Sequence, residues 1–194
     1  IDILSMETAS GNITADEAFS IQAKTVCIGT SSGNIKWRNT KAEKVALAAS
    51  SGNIHAWEIS AEETAAATSS GNIDAENING AFALAASSGN IHALGMSGSG
   101  SANTGSGSIK VEMDEVTGDL KLKANSGGVK VFLPRELSFT LEAQTGSGSI
   151  HTDYDEQLSY NKKGNQASGI IGREASCTVR AEAGSGSVKI SKNS

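Results

Sequence analysis

Apolar and polar positions along this chain keep a fixed phase around one recurring phrase. "SSGNI" is spelled from Ser31, Ser50, Ser69 and Ser87, and it is paraphrased as "ASGNI" from Ala9, "GSGSI" from Gly105 and Gly146, and "GSGSV" from Gly184. The motif glycines are Gly11, Gly33, Gly52, Gly71, Gly89, Gly107, Gly127, Gly148 and Gly186, spaced by 22, 19, 19, 18, 18, 20, 21 and 38 residues. Two residues after each stand Ile13, Ile35, Ile54, Ile73, Ile91, Ile109, Val129, Ile150 and Val188. Seven before stand Leu4, Val26, Val45, Thr64, Phe82, Gly100, Leu120, Leu141 and Val179, and five before stand residues such as Met6, Ile28, Leu47, Leu84 and Leu122. Alternation with a period of two predicts strands with one buried face, and no helical period competes with it.

Each repeat therefore predicts a strand, a Ser-Ser-Gly-Asn turn and a second strand, with a looser return through segments such as "ENINGA" from Glu76. A unit of about 20 residues cannot bury its own apolar face, whereas stacked copies can. The expected fold is all-β, a parallel β-solenoid of about nine rungs and roughly 40 to 50 Å, forming a single domain over 1–194. The last spacing is about two periods long, which predicts a missing or rebuilt rung near Ser168 to Gly172, inside an irregular segment at about 151–178. In the motif itself Gly is expected to supply positive φ, Asn12, Asn34, Asn53, Asn72 and Asn90 to form an amide ladder, and the serines to satisfy turn backbone groups.

Composition removes several function classes. The 194 residues carry 16 Lys+Arg against 21 Asp+Glu, a net charge of -5, which argues against a duplex nucleic-acid binder and leaves room only for a local basic strip. No apolar run is long enough for a membrane span, and Ile1 opens directly on strand-like sequence, so a leader or anchor ahead of it stays an open expectation. Cys27 and Cys177 are too far apart to suggest a disulfide framework or a zinc site. The turns carry Asn or Ser where calcium-binding β-rolls carry Asp, so neither calcium nor any other cofactor is expected.

The "SSGNI" and "TGSGSI" repeats, followed by "VFLPRELSFTLEAQTGSGSI" and the closing "CTVRAEAGSGSVKIS", resemble bacterial β-strand-repeat domains of uncharacterised function that carry an adhesin label, together with toast-rack-like domains of cell-envelope stress proteins. The resemblance implies a right-handed β-solenoid at the cell surface or in another extracytoplasmic setting. It supplies no catalytic residues. Two unpaired cysteines point the other way, toward a reducing, cytoplasmic location.

Two outward faces carry the candidate chemistry. Three residues after each glycine come Thr14, Lys36, His55, Asp74, His92, Lys110, Lys130, His151 and Lys189, a largely basic column suited to an anionic cell-wall polymer, or else a solvated face that discourages edge association. Within it His55, Asp74 and His92 are the one weak metal candidate, because a flat strand face converges ligands poorly. The other face presents Ala46 and Ala48, Ala65 and Ala67, then Ala83 and Ala85, flanked by Cys27 and Gly29 and by Ser101 and Asn103. This patch suits close contact with a protein partner or a homodimer, or is covered by the chain's own 151–178 segment. Trp37 falls in the inward phase; Trp57 and Phe132 fall in the outward one. "GSGSANTG" from Gly98 lacks the strand-to-helix context of a phosphate loop.

The functional expectation is a non-catalytic interaction or adhesion module. Alternatives are a carbohydrate-active β-helix enzyme, against which the acids are dispersed, and a spacer or oligomerisation element.

Overall fold

Small inward side chains in phase let successive turns lie directly on one another, and the chain does so. The structure is a computed structural model that describes residues 1–15 and 20–193. It is a β-solenoid of about seven parallel stacked turns rather than the nine expected, with 68% of the described residues in strands and, among them, one short 3-10 turn at Asp155–Gln157. Five central turns are long strands: β5 (Ile35–Ala49), β6 (Ile54–Thr68), β7 (Ile73–Ala86), β8 (Ile91–Thr104) and β9 (Ile109–Ala124). They are preceded by β1 (Ile3–Ser10), β2 (Ile13–Thr14), β3 (Ile21–Gln22) and β4 (Thr25–Ser32). Register follows the sequence phase: Ile35, Ile54, Ile73, Ile91 and Ile109 pair in succession, and all five are buried.

The return expected to be loose is instead continuous strand. The "ENINGA" segment lies within β7, and the chain bends through left-handed residues at equivalent positions, Asn39, Glu58, Asn77 and Gly95, at φ 52°, 53°, 54° and 64°. A one-residue irregularity between Ser60 and Glu63 absorbs the difference between the 15 residues of β6 and the 14 of β7.

The motif glycine works differently from expectation. Gly33, Gly52, Gly71, Gly89, Gly107 and Gly127 do not sit at positive φ. Each is glycine because a Cβ would collide with the turn below: at Gly52 it would lie 1.7 Å from the Gly33 carbonyl oxygen, and at Gly89 1.7 Å from that of Gly71. The asparagine ladder does form. The backbone N–H of Asn53 donates to Asn34 Oδ1 at 2.9 Å, that of Asn72 to Asn53 Oδ1 at 2.8 Å, and that of Asn90 to Asn72 Oδ1 at 2.9 Å. Threonines three residues before the glycines, rather than the serines, bond the turn carbonyls below: Thr68 Oγ1 donates to Gly52 O at 2.9 Å and Thr104 Oγ1 to Gly89 O at 2.6 Å.

The long final spacing holds a rebuilt rung rather than a missing one. After β10 (Val129–Leu133) the chain forms β11 (Phe139–Thr145) and β12 (Ile150–Thr152), then β13 (Ser159–Tyr160) and β14 (Gln166–Ile171), and returns as β15 (Thr178–Ala183) and β16 (Val188–Lys192). The last two strands insert between earlier ones: β15 lies between β9 and β11, and β16 between β10 and β12, all parallel. The intervening residues cap the stack, with β14 antiparallel on β11 and β13 on β14. Phe139 and Tyr154 close the core there, edge to face at 5.4 Å. At the opposite end Ile1, Ile3 and Met6 are exposed.

Candidate functional site

Because strand insertion reorders the rungs, it also reorders the basic column. In space the sequence is Lys36, His55, Asp74, His92, Lys110, Lys130, Lys189, His151. Lys189, last of the column along the chain, fills the place between Lys130 and His151 and, beyond the Asp74-paired His92, completes a run of four basic or protonatable rungs. Lys130, Lys189 and His151 are exposed, and Lys110 is half-buried with its Nζ 5.6 Å from the centre of the Phe132 ring. Among the described residues none of these three lysines has a carboxylate within ion-pair distance. Cations elsewhere on the stack do, as in Lys44 with Glu63 at 3.0 Å, Lys123 with Glu182 at 3.3 Å, and Arg180 with Glu142.

Lys36 is separated from that run by the histidine pair. Asp74 sits between the two imidazoles, its Oδ2 3.2 Å from His55 Nδ1 and its Oδ1 3.4 Å from His92 Nδ1. The single carboxylate bridges three rungs, and His55 also stacks on Trp57 with ring centroids 5.4 Å apart. Among the described residues no group of three or more His, Cys, Asp or Glu side chains is arranged to hold a metal ion. Trp37 is buried, its Nε1 without a hydrogen-bond partner, and Trp57 and Phe132 are partly exposed on the outward side.

The alanine residues occupy the other face of the stack in the expected register: Ala46, Ala65 and Ala83 pair in one column, and Ala48, Ala67 and Ala85 in the next. Ala48, Ala67, Ala83 and Ala85 are exposed, and Ala46 and Ala65 half-buried. The chain's own 151–178 segment does not cover them, because it is spent on capping the far end. Beside this patch runs a shallow trough of about 810 Å³, floored by residues such as Gly29, Ala48, Ala67 and Ala85 and edged by Ser31, Ser50, Ser69 and Ser87. Glu7 stands at one end and Lys123 at the other. This serine-edged trough follows from the curvature beside the turn, which periodicity does not report.

Both cysteines are unpaired. Burial pushes the Cys177 thiol up from its ordinary pKa, against a lowering hydrogen bond from Ser176, which keeps it a poor nucleophile. In the cap, burial and then the bond donated to Asp155 push the Tyr160 phenol up to about 12.

One family model, Toastrack DUF4097, matches the chain twice, over residues 1–95 and 81–191. No curated protein and no solved structure matches it.

Proposed function

The chain belongs to the Toastrack DUF4097 family, whose function is unknown, and on that footing we propose that it is a non-catalytic interaction module contacting an extended partner along a flat face. One observation carries this reading: equivalent outward side chains stand in register over consecutive rungs on both faces. Contact with a linear partner uses chemistry repeated along a line, whereas catalysis uses groups converged on a point. The alanine face suits a protein and the basic column a polyanion. An envelope or surface location in a bacterium, with adhesion as the role, is part of the same proposal.

A spacer that self-associates is the second reading, favoured by the uncovered alanine patch and the trough beside it. Sedimentation and binding to an anionic wall polymer, measured on Ala67→Lys and on Lys110→Glu with Lys130→Glu, separate the two. Ala67→Lys is expected to abolish protein contacts at the face by adding a charge that must be desolvated. The double reversal is expected to weaken only salt-sensitive binding. If both variants fold and neither measurement changes, a plain spacer that makes no contact through either face is the better account.

A further inference from the structure

We propose, on the reading that the module acts through a long face, that the run Lys110, Lys130, Lys189 and His151 with Phe132 beside it is a binding site for an acidic polysaccharide bearing carboxylates, a polyuronate. Four features of the run point there.

The fold sets the order of the run by placing Lys189 between Lys130 and His151. Lys130 pairs in register with both Lys110 and Lys189, and Lys189 with His151, so the four rungs span about 14 Å at one rung spacing per step. Like charges stacked on neighbouring strands repel one another. Neighbouring-rung carboxylates neutralise Lys44, Lys123 and Arg180, yet none does so for these lysines among the described residues. A polyanion laid along the column relieves that repulsion.

The cations are lysines. Single ammonium charges on flexible stems suit a chain of anions that can shift along the column, whereas the planar fork of arginine suits one carboxylate or phosphate held in a fixed place. Phe132 decides the class of polymer. It lies on the same outward side as Lys130 and holds the Lys110 ammonium 5.6 Å from its ring centre. An ammonium beside an aromatic face matches a uronate residue, which carries a carboxylate on a ring with an apolar C–H face. An inorganic polyphosphate chain has no such face. Among the acids near the run, Glu112 stands in register with Phe132 and Asp153 accepts from the Lys192 backbone N–H; both flank the lysine column, and Asp74, two rungs beyond Lys110, is taken up by the two histidines.

The test is binding of a galacturonic-acid hexamer to the full chain by calorimetry at low salt. Lys130→Gln with Lys189→Gln is expected to weaken binding about tenfold or more and to flatten its salt dependence. Lys36→Gln, outside the run, is expected to change it less than about twofold. Glu112→Gln should tighten binding. Phe132→Leu should weaken binding of the hexamer but not of inorganic polyphosphate. A circular-dichroism melt of each variant checks that it is folded. No binding of the hexamer, equal loss from Lys36→Gln, or tighter binding of polyphosphate or a single-stranded oligonucleotide than of the hexamer would overturn the proposal. If the lysine variants weaken binding to the wall polymer but the hexamer does not bind, the long-face reading stands and the uronate assignment falls.

Discussion

Thr64 shows how much one atom matters in so thin a core. Its neighbours in the column are Val45 and Phe82, and its Oγ1 is buried without a hydrogen-bond partner. Replacing it with valine keeps the shape and removes an unsatisfied hydroxyl, so Thr64→Val is expected to stabilise the fold by about 1 kcal/mol in denaturant unfolding. Gly52→Ala should do the reverse. Its Cβ would meet backbone rather than a movable side chain, and a loss of about 3 kcal/mol or more is expected, seen as a lowered unfolding midpoint. Glu58 occupies the left-handed corner filled on other turns by Asn39, Asn77 and Gly95. Asparagine tolerates that conformation better, so Glu58→Asn is expected to be neutral or stabilising by up to about 1 kcal/mol despite losing the contact with Arg38.

At the scale of the element, each strand contributes one residue to several columns, and inward and outward neighbours differ sharply in worth. Ile73 is fully buried between Ile54 and Ile91, whereas Asp74 next to it is part-exposed between His55 and His92. Ile73→Ala should cost about 2 to 4 kcal/mol through lost burial and a residual cavity. Asp74→Ala should cost under about 1 kcal/mol, because ion pairs that are open to solvent contribute little. Equal losses in chemical denaturation would contradict the assigned phase. These phases were legible in the sequence because a period of two leaves a strand no freedom to bury the wrong face. The function of the glycines and threonines was not, since both follow from how closely one turn approaches the next.

For the whole molecule, the asymmetry of the stack sets where it opens. β15 is hydrogen-bonded on both edges, to β9 and β11, and its residues Val179 and Ala181 are fully buried. β1 is an edge strand whose Met6 is exposed. Amide hydrogen exchange is therefore expected to be slowest in the centre and in β15, although β15 is near the C-terminus, and fastest in β1. Rapid exchange of Val179 and Ala181 would show that the inserted strand is not locked in place.

By itself the sequence determined the local rules: which residues face inward, the turn at each Ser-Ser-Gly-Asn, the asparagine ladder, and the two outward columns with their alanines, histidines and lysines. All of these depend on repeats about 20 residues long, within which backbone geometry fixes side-chain direction. Only the tertiary structure decided the order of stacking. A strand with the pattern of β15 and β16 satisfies any slot that presents matching hydrogen bonds and apolar columns, so periodicity alone placed it at the end of the rod. The cap formed by β13 and β14 closes the stack beyond β11, leaving the returning chain the slot between β9 and β11. That choice sets Lys189 between Lys130 and His151 in the basic run, because neighbours across a solenoid are fixed by which turns touch and not by which turn follows which along the chain.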